Sequence, residues 1–230
     1  MARAASVKKS TKRNKRLDPE VRKDLILDAA ADLIAGEGVS AISMERVARE
    51  AGVSKPLVYV YFPNRTTLLQ QLLLREQGIL VARQAVEVKE ARGFEDLIRR
   101  TTATYLKFVE ERGVHIRRLM NEPTVAAAVE ERGRKDRLRA VELLAKAASA
   151  EYNIPRKISR LAAEISMGGT GTAGDLISQN AVDRKTIQEL NITLALGSIA
   201  ALQKSYGKKP AAKKPAKRKT KSARSKAKTR

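Results

Sequence analysis

The chain has 230 residues, 43% of them hydrophobic, and a formal net charge of +22, with no cysteine and one histidine. That leaves no disulfide, no thiolate site and no His/Cys metal cluster, and fits a reducing cytoplasm. No apolar run approaches the roughly 18 residues of a membrane-spanning helix, and no apolar stretch follows the basic N-terminus as in a secretory signal, so a cytoplasmic protein without membrane or metal partners is expected.

Residues 1–17 carry seven Lys/Arg and no acid, and residues 207–230 carry twelve and no acid. Between them, residues 18–206 hold 28 basic and 25 acidic side chains. Blocks of like charge repel themselves and act as interaction arms, so both ends are expected to be disordered around a near-neutral globule. Asp18-Pro19-Glu20 marks a helix start, with Asp18 as cap and Pro19 at the first helical position. Val21, Leu25, Ala29 and Leu33 form its stripe, and Gly36 and Gly38 stop it. Ser43 caps a short second helix whose Met44, Val47, Ala48 and Ala51 share a face. Gly52-Val53 makes a turn, Ser54 caps a third helix from Lys55, and Phe62-Pro63 ends it. Asn64 caps a long fourth helix reaching towards Glu90.

The spacing predicts further helices over Phe94–Glu111, His115–Asn121, Thr124–Tyr152, Pro155 to about Asn180, and Asp183 to about Tyr206. No window alternates like a strand. The expectation is an all-α protein of about nine helices. Short helices at 18–64 precede a longer helical region at 65–206. The last helix is apolar on two sides, with Ile187, Leu190, Leu194 and Ala201 on one and Ile192, Leu196, Ile199 and Leu202 on the other, so it needs cover on most sides. A second subunit can supply that cover.

Residues 43–62 carry the functional signal. A short helix, a turn at Gly52 and a second short helix make a helix-turn-helix whose second helix lies in the DNA major groove. The run Ala51-Gly52-Val53-Ser54-Lys55-Pro56-Leu57-Val58-Tyr59-Val60-Tyr61-Phe62-Pro63-Asn64-Arg65 resembles the signature of the TetR family of bacterial repressors, and the resemblance covers roughly residues 20–70. It implies DNA contacts at Ser43, Arg46, Ser54, Lys55, Pro56, Tyr59, Tyr61 and Arg65. Ser43 would meet a phosphate, Ser54, Lys55 and Pro56 the groove, Tyr59 a phosphate, and Arg65 the backbone where a lysine is usual. Leu57, Val58 and Phe62 are expected in the core. Thr66 and Val60 depart from the family pattern.

The resemblance further implies a helix-turn-helix DNA-binding domain at 18–64, a helical ligand-binding and dimerisation domain at 65–206, a homodimer through residues 155–206, a palindromic operator on double-stranded DNA, and a small-molecule effector. Tyr105, Phe108, His115, Met120 and Met167 are candidate pocket residues, each also readable as ordinary core. The glycine-rich run Met167–Gly174 lacks the Gly-Lys-Ser/Thr and preceding strand of a phosphate loop, and reads as a close helix approach or a kink. Acid pairs such as Glu110-Glu111 fall on polar helix faces. No catalytic residue, metal site or cofactor is expected. The stretch from Lys208 to Lys219 is similar to linker-histone tails and to tails of some actinobacterial nucleoid proteins, which implies non-specific phosphate binding. Two functions follow: a dimeric repressor released by an effector, or a nucleoid-associated architectural protein with little sequence preference.

Overall fold

The computed structural model describes residues 18–207; the expectations for the arm at 1–17 and for the tail beyond Gly207 lie outside the described residues. Eight α-helices follow in order: α1 (Pro19–Glu37), α2 (Met44–Glu50), α3 (Lys55–Tyr61), α4 (Arg65–Glu90), α5 (Phe94–Met120), α6 (Pro123–Tyr152), α7 (Arg156–Ser178) and α8 (Arg184–Tyr206). A 3-10 turn, Val39–Ala41, joins α1 to α2, and there is no strand among the described residues.

Several helix starts are fixed by side chains that satisfy free N–H groups. Asp18 accepts from the Glu20 N–H at 2.9 Å, Asn64 from Thr67 at 2.8 Å, and Asp183 from Thr186 at 2.9 Å. Ser54 behaves differently. It occupies the cap position of α3 but its hydroxyl makes no capping bond. Pro56 has no N–H to offer, and the Leu57 N–H already donates to the Ser54 carbonyl at 3.0 Å. The Ser54 side chain is left facing solvent.

One expected break is absent. The segments 94–111 and 115–121 join in the single helix α5, which runs straight through Gly113. A methyl group at Gly113 would come within 2.9 Å of the Val109 side chain and 3.3 Å of Ser178 on α7. That glycine therefore marks a close crossing of α5 and α7. A second such crossing lies at Gly174, where a Cβ would meet the Tyr105 hydroxyl at 2.8 Å. The glycine-rich run itself is continuous helix within α7.

The largest apolar cluster joins Ile26, Ile34, Val47, Val58, Phe62 and Leu68 of the N-terminal helices to Leu119 at the end of α5 and Val125 and Val129 at the start of α6. A second cluster sits at the other end of α5. There Phe94 and Ile98 pack with Ala148, Ile154 and Ile199, and with Leu202 near the end of α8. α5 has 27 residues and so spans about 40 Å at 1.5 Å per residue. The helix-turn-helix and the end of α8 thus lie towards opposite ends of the molecule. No helix of the described residues is long and apolar enough to cross a membrane.

Among the described residues nothing covers the outer face of α7 and α8. Ile165 is 77% exposed and Leu194 63%, with Leu161 and Leu190 beside them also exposed. These helices border a groove of about 660 Å³ lined by Leu161, Ile165, Leu194, Ala201 and Tyr206 among others.

Candidate nucleic-acid interface

The angle between α2 and α3 is set locally. Ser43 Oγ accepts from the Arg46 N–H at 3.1 Å and starts α2. At its end the Gly52 N–H donates to Arg49 and the Val53 N–H to Ala48, with Gly52 at φ +64°, a left-handed conformation that costs glycine no side-chain clash. Ala51 and Val53 pack on the main core and hold the corner. α3 then buries Val58, half-buries Leu57 and Tyr61, and passes into the buried Phe62. Its opposite side presents Lys55, Pro56, Tyr59 and Val60, which lie three or four residues apart and share one exposed surface.

The expected contact residues are not all equally free. Tyr59 is 45% exposed and stands clear of the core. Tyr61 packs against the core, its ring 6.4 Å from that of Phe62. Lys55 Nζ is 3.3 Å from Glu45 Oε2, and the Arg46 guanidinium pairs with Glu37 at the end of α1. Arg65 turns inward: its Nε donates to the Ile42 carbonyl at 3.1 Å and its Nη2 to the Val39 carbonyl at 2.7 Å. It thereby ties the start of α4 to the turn that leads into α2. Ser54, Lys55, Pro56 and Tyr59 come together on one face, whereas Arg65 is engaged as a brace. Residues 18–64 contain eight acidic and five basic side chains, so the folded helix-turn-helix is net negative.

A buried charge cluster behind this domain has no counterpart in the sequence reading. Glu76 on α4 is 0% exposed and takes the Arg112 guanidinium of α5 through both oxygens, at 3.0 and 2.8 Å. His115 Nε2 lies 3.7 Å away, and Arg75 donates to Glu76 at 3.1 Å. Burial alone would raise the Glu76 pKa. The interactions with His115 and Arg112 outweigh it and hold the carboxyl at about 2. Arg75 also reaches α1, with Asp28 at 2.8 Å and Asp24 at 3.6 Å. Farther along α5, Arg118 donates to the Ile34 and Ala35 carbonyls of α1. A glutamate at i and an arginine 36 residues later carry no local pattern, so spacing could not reveal them.

The five pocket candidates fall into separate packing environments. Tyr105 packs with Leu106, Ala173 and Ile177, and burial together with Asp175 pushes its phenol pKa up. Phe108 is buried with the Arg83 guanidinium 5.6 Å from its ring centre. His115 faces Glu76, Met167 packs with Val141, Ala145 and Ala163, and Met120 is exposed at the end of α5.

Fold and interface define a helix-turn-helix module carried on an all-α body. Residues 26–72 match the profile of the tetR family of bacterial regulatory proteins, so the N-terminal segment is a TetR-type helix-turn-helix domain. The chain is 32% identical over 65 residues to the fatty acid metabolism regulator protein of Bacillus subtilis, covering 28% of this chain and 34% of that protein. It is 28% identical over 123 residues to the HTH-type transcriptional activator FasR of Mycolicibacterium smegmatis, covering 51% of this chain and 56% of that protein. The matches thus span from about a third to little more than half of these relatives. Among solved structures, the fatty acid degradation regulator FadR of Bacillus halodurans superposes with a TM-score of 0.66 at 21% identity, over 79% of this chain and 97% of its own. A TetR-like transcriptional regulator from Rhodococcus sp. RHA1 does so with 0.63 at 24% identity, over 80% and 99%. The fold is TetR-like.

Proposed function

We propose that the chain is a DNA-binding transcriptional regulator that acts as a homodimer, reads a palindromic operator through α3, and is a repressor released by a small-molecule effector. The observation that carries this reading is the surface of α3. Lys55, Pro56, Tyr59 and Val60 face outward on a short helix whose other side is locked into the core, within the segment that matches a family of bacterial regulators. Ser54 adds an uncommitted hydroxyl at the same edge. The exposed apolar face of α7 and α8 supports dimerisation there, because patches rimmed by polar residues on soluble chains mark partner surfaces. Matched relatives are regulators rather than architectural proteins, which favours sequence reading over DNA coating. Two of the matched proteins are named for fatty acid metabolism and degradation, so fatty-acid derivatives are the first effector class to screen. On this reading the protein works in the cytoplasm on the nucleoid.

The basic ends add non-specific affinity in unequal ways. The arm joins α1 directly at Asp18, in the helix-turn-helix domain. The tail continues the chain after Gly207, and Leu202 near the end of α8 packs with Phe94 at the start of α5. Genomic fragments selected by the full-length chain and by one lacking 208–230, at two salt concentrations, test the reading. A protected palindrome that survives loss of the tail is expected. Binding that disappears with the tail and shows no preferred fragment would overturn it. Lys55→Ala and Tyr59→Phe should each weaken the selected site while leaving the helical content intact.

A further inference from the structure

We propose that Val60 is a specificity-determining residue of α3, and that it reads the C5-methyl group of a thymine in the DNA major groove, with Pro56 extending the same apolar contact. This rests on the DNA-binding reading above and names the base chemistry that α3 recognises.

Reading base edges by hydrogen bonds needs particular side chains. Arginine or lysine takes guanine, asparagine or glutamine takes adenine, and a carboxylate takes the cytosine amino group. The seven residues of α3 include Lys55 but no arginine, asparagine, glutamine or carboxylate. Lys55 can serve a guanine or a phosphate. Its outward neighbours cannot grip a base by paired hydrogen bonds. The Pro56 and Val60 side chains have neither donor nor acceptor, and Tyr59 carries a single hydroxyl.

A single exposed valine is ordinary on a protein surface. The setting of Val60 is not. It is 77% exposed, so it adds nothing to the core that Val58 and Phe62 enter on either side. It adds nothing to the helix either, because a β-branched side chain loses rotamer freedom there. It lies four residues from Pro56, so the two share one outward strip beside Lys55 and Tyr59. Such a strip gains nothing from a phosphate. The apolar group that the major groove offers is the thymine methyl, carried by A·T and T·A pairs alone. A valine against that methyl expels water from two apolar surfaces. Against the edge of a G·C pair it strips water from polar groups and returns no hydrogen bond. The contact therefore favours thymine at a fixed position of each half-site.

The test uses the full chain and a duplex that it selects from genomic fragments. Each thymine of that duplex is replaced in turn by deoxyuridine, which removes the methyl and leaves the hydrogen-bonding groups of the base intact. The same series is run with Val60→Ala, which should fold, since the site is exposed and alanine is the better helix former. For the wild type, uridine at one position of each half-site should weaken binding about fourfold, the worth of one buried methyl. In Val60→Ala that cost should shrink towards onefold at the same position, while other thymines keep theirs. The slope of log K against log salt should match the wild type, since no phosphate contact is lost. The proposal is overturned if no uridine weakens wild-type binding by about twofold, or if every uridine costs Val60→Ala as much as it costs the wild type. A salt slope shallower by about 0.9 in Val60→Ala would put the side chain at the backbone and overturn it too. A wild-type chain that binds no duplex, or all duplexes alike, overturns the operator reading itself and the proposal with it.

Discussion

Replacing Glu76 by glutamine keeps the size of the side chain and removes its charge. The Arg112 and Arg75 guanidiniums, which converge on it from α5 and α4 and are themselves partly exposed, are left facing a neutral amide at a buried position. The cost follows by two routes. Breaking a buried ion pair on one side costs about 3–5 kcal/mol. A carboxyl held at about 2 instead of its ordinary 4.5 contributes about 3 kcal/mol at neutral pH. For a folded unit of this size, about 3 kcal/mol lowers the thermal midpoint by roughly 6–12 °C. The pH dependence has a definite sign. A carboxyl whose folded pKa lies below its unfolded one stabilises the fold above the unfolded value and loses that contribution as pH falls towards the folded value. The window for Glu76 runs from 4.5 down to about 2. Thermal unfolding followed by circular dichroism should therefore show a wide gap between wild type and Glu76→Gln at pH 7 that narrows steadily below pH 4.5. A midpoint shift under about 2 °C at pH 7, the equivalent of less than about 1 kcal/mol, would refute the reasoning. So would a gap that stays constant with acidification.

On the proposed homodimer, Ile165→Glu and Leu194→Glu place charges on the outer face of α7 and α8, where both side chains are solvent-exposed, so sedimentation should find a dimeric wild type and folded monomeric variants; variants that stay dimeric would refute this face as the interface. Gly174→Ala pushes a methyl against the Tyr105 hydroxyl and should cost about 1–3 kcal/mol in urea unfolding, with Tyr105→Leu in the same chain recovering part of it. Arg65→Lys keeps the charge but not the geometry that reaches the Val39 and Ile42 carbonyls, so it should lose about 2 kcal/mol of stability. Unchanged stability with weakened DNA binding would instead make Arg65 chiefly a phosphate contact.

The sequence shows clearly those features whose cause is local. Asp18, Ser43, Asn64 and Asp183 cap helices because the N–H groups they satisfy lie two or three residues away. Gly52 marks the turn because a positive φ is a property of one residue. Gly113 misleads for the opposite reason. In one dimension it looks like a stop, but what it accommodates is α7, some sixty residues on. The candidate interface divides in the same way. The residue types on α3 and their outward face follow from helical spacing. That Lys55 and Arg46 are held by carboxylates, and Arg65 by two carbonyls, depends on how α1, α2 and α4 meet. Glu76 lies deepest of these. A lone glutamate amid a helix reads as surface until the fold brings Arg112 and His115 onto it.

These contacts show how the helix-turn-helix is mounted. It does not depend on α4 alone. α1 is held by Arg75 from α4 and by Arg118 from α5, while Leu119, Val125 and Val129 close the same core from below. Glu76 and Arg112 in turn bind α4 to α5 just behind that attachment. The helix-turn-helix is therefore supported by α4, α5 and the start of α6, and the first two are held to each other by a buried ion pair as well as by apolar packing. Apolar contacts tolerate small slips, whereas Arg112 Nη1, which reaches both oxygens of the buried Glu76 carboxylate, does so only by giving up a charged hydrogen bond. On the proposed reading, an effector bound in the body can reposition α3 only by moving α4 and α5 together, or by supplying enough differential affinity to break that pair.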